Sequence, residues 1–413
     1  MLEPIPVWRE SRLWALSIAE TLVWASLFYI FPASLLRWNT HFGWSVADLS
    51  LGFTYALIAS AISSIIAGHL IDRGKSRSLM TVCTLVGACL ISLIPSLTNL
   101  WQFYTVWILI GIALSGCLYE SCFSYLTRTF QEGAKRPIIM VTIFAGFAST
   151  VSYPTSAYLS RVFSWEAGIY IFALVTFLIT APLFWYGTSM KTVATVKEDP
   201  SKHSHGSQNQ DKLSITLRVV IQNPIFWGLL ITFTTLALNQ GMVISQIFPL
   251  LESRQISTGL AIFLASCIGP MQVIARLLFF CVESLSRKNI PIVRVALFCQ
   301  ICLAVSSISL VFGGISTSVI VSFVLLQGGP YGLVSIIRPL ITAELLGRTN
   351  FGVISSIVGI GFVWGFAIAP GIAGKVAERW SYDEVLLTTF SASVVGIISL
   401  LLTLQLKRIS IQS

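Results

Sequence analysis

Four charged residues stand alone in long apolar stretches of this chain: Glu20, Glu120, Arg276 and Arg338. Arg276 is the most isolated, since it is the only charge between Ile256 and Cys281, within GPMQVIARLLFF (Gly269 to Phe280). A guanidinium is costly to bury in such a setting and needs a partner. Its planar two-donor fork fits a carboxylate better than a lysine would, which points to a translocated organic anion or to a fixed acid across a cavity. The structural alternative for Arg276 is an ion pair or snorkelling to the nearby surface. For Glu20, Glu120 and Arg338 it is a buried partner within a helix-packing network. Two acids in the first half and two arginines in the second could pair as a gate that breaks when the cavity opens, and either glutamate could carry a proton.

Uncharged polar residues within the long apolar stretches include Tyr119, Tyr153, Asn239, Gln240, Gln246, Gln272 and Gln327. Each is a candidate to line a cavity or to tie two helices together. The eight cysteines all fall inside apolar stretches and read as small apolar fillers, the lone Cys299-x-x-Cys302 pair included. His203 and His205 stand in a polar segment, where two ligands make a weak metal site. No nucleotide-binding loop, catalytic triad or metal cluster is present, so neither an enzyme nor a cofactor is expected.

The elements that position these residues follow from composition. The chain of 413 residues is 55% hydrophobic and only 10% charged, more apolar surface than one soluble core could hide. Apolar runs long enough to span a bilayer recur twelve times, near 14–36, 47–71, 79–97, 99–127, 137–163, 166–187, 224–250, 256–283, 292–312, 316–343, 351–376 and 384–406. All read as helices, because an open strand edge facing lipid would leave backbone groups unpaired. The first run is too long for a signal-peptide core and reads as a retained span. Between the sixth and seventh runs the chain turns polar, so residues 1–187 and 224–413 form two six-helix halves joined by a flexible linker at 188–223.

Lysine and arginine set the orientation. With the N-terminus in the cytoplasm, 19 of the 26 basic residues fall on the inner side, among them Arg73, Arg77, Arg128, Lys135, Arg136, Lys407 and Arg408. Both termini are therefore expected to be cytoplasmic. A basic inner face suits an anionic leaflet and explains the net charge of +9 without nucleic acid. Trp8, Trp38, Trp44, Trp101 and Trp380 fall near the span ends, where an aromatic belt is expected.

Between the second and third runs stands GHLIDRGKSRSLM, from Gly68 to Met80, which resembles the loop signature of the major facilitator superfamily, Gly-x-Leu-x-Asp-Arg-x-Gly-Arg-Arg. Gly68, Leu70, Asp72, Arg73 and Arg77 match, whereas Gly74 and Lys75 come one place early. In this reading Gly68 lets helices pack closely, Asp72 holds a cation or a facing helix end, and the basic residues anchor the surface. A charged turn without special role is the plainer alternative. The resemblance implies an all-α membrane protein of twelve helices in two six-helix bundles, with the substrate near the midplane between them.

A finer resemblance lies in Tyr29-x-Phe31-Pro32 with FGWS (Phe42 to Ser45), in GPMQVIAR, and in YGLVSIIRP (Tyr331 to Pro339) followed by ELLGRTNFG. These segments are similar to the bacterial branch of the monocarboxylate transporters and oxalate/formate exchangers. In that branch an arginine on the eighth helix binds the substrate carboxylate, a role that falls on Arg276. Three departures accompany it: Gln272 stands where the animal carriers have an aspartate, the first span has no lysine, and Lys375 lies at the outer end of the eleventh span. The expected protein is a monomeric secondary transporter of the inner membrane, moving a small organic anion by symport or exchange with a possible co-transported proton. Its site residues would be Arg276, Arg338, Tyr119, Asn239, Gln240 and Gln272, with Glu20 and Glu120 coupling or gating. Proton-driven efflux of drugs or metabolites is the alternative, although the fifth span lacks the dense Gly-Pro pattern of such antiporters; a non-transporting sensor stands further off.

Overall fold

The computed structural model describes residues 10–190, 220–285, 291–312, 316–347 and 351–412. Most of the expected linker, with His203 and His205, lies outside the described residues, as does Trp8. Among the described residues twelve helices are long and apolar enough to cross a membrane: α1 Ser11–Phe42, α2 Val46–Asp72, α3 Ser76–Ser96, α4 Leu100–Phe130, α5 Lys135–Val162, α6 Trp165–Gly187, α7 Pro224–Ser245, α8 Thr258–Glu283, α9 Ile292–Phe312, α10 Ser318–Leu346, α11 Ile354–Arg379 and α12 Tyr382–Arg408. The fold is all-α, in two bundles of six.

Local chemistry sets the helix ends. Ser45, Asn99 and Ser164 each accept a backbone N–H of the first turn of α2, α4 and α6, at 3.0, 2.9 and 3.2 Å. Asn223 does the same for α7, whose first residue is Pro224, a position where the missing N–H costs nothing. Inside the bundle, serine and threonine hydroxyls such as Ser17, Thr84 and Thr176 donate to the carbonyl four residues earlier, at 2.7–2.8 Å, so each is satisfied within its own helix.

The connections at Arg73–Lys75 and Gln131–Ala134 lie at one end of the helices, here called the basic face; those at Gly43–Ser45, Leu97–Asn99 and Phe163–Ser164 lie at the far face. Two helix pairs make most of the contact between the lobes, α2 with α11 and α5 with α8, and they are equivalent when the first six helices are matched to the last six. The contacts lie towards the far face and the midplane. Gln246, where α7 breaks before a short helix Ile247–Ser253, donates to Ser50 at 2.7 Å, and the Gly371 N–H donates to Thr54 at 2.7 Å. Thr150 donates to the Ser266 carbonyl at 2.8 Å. At Gly269 the backbones of α8 and α5 come so close that a Cβ would stand 2.1 Å from the Gly146 carbonyl oxygen.

Two expectations need correction. Gly68 does not bring helices together in this conformation, since a Cβ there would meet nothing within 4 Å. The turn depends on Gly74 instead, at φ +76°, which side-chain-bearing residues rarely adopt. Arg128 closes that turn by donating to the carbonyls of Ile71 and Asp72, while Arg77 donates to the Trp185 carbonyl at 3.0 Å and lies 3.8 Å over the Trp185 ring. The Asp72 carboxylate is exposed and makes no ion pair among the described residues. Trp38 is no interface residue either. It is fully buried in the first lobe against Phe31, Phe103 and Trp107, whereas Trp101 and Trp380 are 78% and 64% exposed.

Candidate functional site

Several helices that line the lobe boundary lose regular geometry at about the same depth. α1 passes through a turn of π-helix at Trp24–Phe28, α4 breaks at Leu118, and α5 bends between Ala145 and Ala148. Such interruptions survive in a membrane only where neighbouring protein or a cavity satisfies the freed groups, and they recur at functional sites. Here they aim Trp24, Phe28 and Tyr29 of α1, and Tyr119 and Glu120 of α4, towards the second lobe.

Arg276 reaches that boundary from α8. Its Nε donates to the Gly332 carbonyl on α10 at 2.7 Å, and its Nη1 donates to the Thr142 carbonyl on α5 at 3.1 Å. Gly332 permits this because α10 presses on α8 there: a Cβ would sit 2.4 Å from the Gln272 carbonyl oxygen. The phenols of Tyr119, Tyr331 and Tyr29, from both lobes, are the electrostatic neighbours of the guanidinium. Among the described residues no carboxylate lies within ion-pairing distance of it; the one salt bridge joins Arg254 to Asp383 near the far face. Two carbonyl dipoles and three phenols temper the charge without neutralising it.

Arg338 lies half-buried on α10, 5.0 Å from the Phe362 ring centroid, with Glu120 and Tyr331 as electrostatic neighbours. Glu120 is exposed and makes no salt bridge among the described residues, as expected of a side chain in an opening between the lobes. Glu20 is its opposite. It is fully buried, and among the described residues neither carboxylate oxygen accepts a well-formed hydrogen bond, although the Cys122 thiol and Trp24 indole stand beside it and Glu120 is its electrostatic neighbour.

Aromatic rings make the walls. Trp24 packs on Tyr119 at 4.8 Å between centroids, and Tyr29 on Tyr153 at 5.6 Å. Across the boundary Tyr153 meets Phe248 at 5.0 Å and Phe28 meets Phe366 at 6.1 Å; within the second lobe Tyr331 faces Phe362 and Phe366 at 6.1 and 6.5 Å.

The structure thus brings together Arg276, Arg338, Tyr119, Glu20 and Glu120 of the expected set. Gln272 is 9% exposed at the α8–α10 contact, beside them. Asn239 and Gln240 are placed otherwise, fully buried inside the second lobe. Asn239 donates to the Thr389 carbonyl and Ser393 hydroxyl, both at 3.0 Å, while Gln327 donates to the side-chain oxygens of Asn239 and Gln240 at 2.8 and 3.0 Å. These residues take the interhelical role. Tyr29, Tyr331, Phe28, Phe362 and Phe366 escaped the sequence reading, although Tyr29 and Tyr331 open two of the quoted segments.

The comparisons with known proteins agree with this architecture. Several solved transporters share the fold. The nucleoside transporter NupG, in a point-mutant form, superposes with a TM-score of 0.72 at 15% identity, covering 95% of this chain and 99% of that one. A bacterial homologue of the human lysosomal transporter Spinster, inward-facing and unoccupied, reaches 0.71 at 14% identity and covers 98% of each chain. A point mutant of the peptide transporter POT, in complex with alafosfalin, reaches 0.66 at 12%, covering 98% and 95%. A search of curated proteins finds no match by sequence. The Major Facilitator Superfamily model matches residues 13–359, most of both lobes and every residue from Glu20 to Arg338 described above. The chain belongs to the Major Facilitator Superfamily, a superfamily of membrane transporters and not of enzymes.

Proposed function

We propose that this transporter moves a small organic anion by alternating access, as symporter or exchanger, in the manner of the monocarboxylate and oxalate/formate branch. One observation carries the reading. Arg276 sits at the lobe boundary with backbone carbonyls as its hydrogen-bond partners and phenols around it, and no carboxylate of the described residues pairs with it. A guanidinium so placed is ready to take a carboxylate in its fork. Arg338 adds a second positive charge along the same wall, and phenol hydroxyls can donate to the same anion.

The positive-inside rule supports an orientation with the basic face and both chain ends in the cytoplasm, in an inner membrane, and a monomer would suffice for the cycle. In that orientation the contacts towards the far face close the outside, and the exposed Glu120 marks the opening to the cytoplasm. Glu20, buried with only the Cys122 thiol and Trp24 indole beside it and no cation paired with it among the described residues, is the proposed proton site, because a bare carboxylate is expensive there. Glu120 and Arg338 are the proposed gate pair, drawn together when the inner side closes.

The aromatic walls also favour a second reading, export of amphipathic compounds by proton exchange. Uptake of labelled organic anions and organic cations into proteoliposomes, with and without a pH gradient, separates the two. Anion uptake that is abolished by Arg276→Gln supports the first reading. Cation movement driven by an opposed proton gradient, with no anion uptake, would replace it with the second.

A further inference from the structure

Four rings at the boundary, Phe28 of the first lobe and Tyr331, Phe362 and Phe366 of the second, differ in arrangement from most rings of the protein core. Phe28 and Phe366 lie 25° from parallel, Phe366 and Tyr331 25°, and Tyr331 and Phe362 19°, at centroid separations of 6.1, 6.5 and 6.1 Å. In the first-lobe core, by contrast, Phe31, Phe53 and Trp38 meet Trp107 edge-on at 5.1–5.9 Å, and Phe31 stacks on Phe53 at 4.2 Å. The boundary rings are aligned and more widely spaced than the stacked core pair. Tyr331, Phe362 and Phe366 are also only half-buried, although they belong to the interior. Packed cores tend to bring aromatic rings edge to face and fill the gaps. Phe28 is itself buried and Arg338 stands over Phe362, so the partly open surface offered to another flat group is that of Tyr331 and Phe366.

The charges fix which end of that group goes where. Tyr331 has both Arg276 and Arg338 as electrostatic neighbours, and Arg338 lies 5.0 Å from the Phe362 ring centroid, so the ring wall begins beside positive charge. A carboxylate held by Arg276 would place the atoms attached to it against Tyr331 and the Phe366 ring beside it, both half-buried. A two- or three-carbon acid would leave most of this wall wet, whereas a ring attached directly or through one carbon would cover it.

We infer that the transported anion is an aromatic carboxylate, a flat ring with its carboxylate one or two bonds away, and not a short aliphatic acid. This rests on the organic-anion reading above and adds the ring to it. Arg276 orients the carboxylate, the phenols donate to it, and the aligned rings select the flat body.

The test is isothermal titration of the full-length protein, purified in detergent, with phenylacetate, propionate and phenylacetamide. Phenylacetate binding at least about tenfold more tightly than both others is the expected result. Phe366→Leu, which keeps apolar volume but removes the ring, should shrink the preference for phenylacetate over propionate by roughly three- to tenfold. If that variant elutes as aggregate, Phe362→Leu takes its place. Propionate binding as tightly as phenylacetate, with the amide silent, overturns the ring inference and leaves the anion reading standing. Phenylacetamide binding as tightly as phenylacetate removes both. A preference unchanged in a well-folded ring variant, or binding of none of the three up to millimolar concentration, also counts against the inference.

Discussion

The Arg276 guanidinium of the second lobe donates to the Thr142 carbonyl of the first, 3.1 Å away across the lobe boundary. That carbonyl already belongs to a helix, so the bond is a shared one and compensates little of the charge. It must break wherever the two lobes part at this depth. An anion arriving in the fork would replace this tie, which makes substrate binding and lobe movement compete for one side chain.

Closure on the far face depends on the near-contact of α5 and α8. Gly269→Val would force a side chain into a space where even a Cβ lies 2.1 Å from the Gly146 carbonyl oxygen. The lobes should then be propped apart there. In a background without native cysteines, Tyr153→Cys is expected to react several-fold faster with a membrane-impermeant maleimide applied to the far face when Gly269→Val is present. Equal rates would show that the boundary opens by another route.

The buried amides of the second lobe should act on stability and not on transport. Asn239→Ala removes the donor to the Thr389 carbonyl and Ser393 and leaves Gln327 with one of its two acceptors, the Gln240 oxygen. Orphaning buried polar groups costs about 1–3 kcal/mol. Thermal unfolding in detergent should therefore begin several degrees lower, with the apparent KM of the surviving protein unchanged. A raised KM at normal stability would return Asn239 to the binding site.

Orientation is tested separately. Externally applied maleimide should modify His41→Cys and Gln255→Cys in intact cells and spare Lys75→Cys until the membrane is permeabilised. Reaction at Lys75→Cys in intact cells would invert the assignment of the basic face.

The proposed gate makes a prediction about coupling. Glu120 and Arg338 sense each other but are not paired in this conformation. Reversing each charge alone should slow transport, and the double variant Glu120→Arg with Arg338→Glu should recover part of the loss, beyond addition. Strictly additive losses would dismiss the pair.

What the sequence made legible follows the energetics. Arg276, Arg338, Glu20 and Glu120 stood out because a charge among apolar residues is expensive and therefore rare, and the structure gathers all four near one boundary. The twelve spans were legible because a bilayer demands length and apolarity in sequence itself. Asn239 was not, since its partners Thr389 and Ser393 lie 150 and 154 residues away and an amide looks alike whether it meets ligand or helix. Tyr29 and Tyr331 were passed over because a tyrosine costs little in an apolar span. The π-turn at Trp24–Phe28 and the break at Leu118 come from tertiary packing, and neither carries a proline to announce it. Gly68 was given a packing role that this conformation does not use.

The most direct test of the anion site is substitution of Arg276 with transport and folding measured together. Arg276→Lys keeps the charge but loses the planar fork, so apparent KM should rise by about 10- to 100-fold, as for a charged hydrogen bond worth about 1.5–3 kcal/mol. Arg276→Gln should abolish anion uptake, because the substrate would then enter a low-dielectric boundary with no charge to meet it. Both proteins should be recovered from the membrane as monodisperse peaks at near-normal yield, since the side chain ties backbone carbonyls that already belong to helices. Aggregation of both variants, with little change in KM for whatever protein survives, would make Arg276 a structural tie and remove it from the binding site.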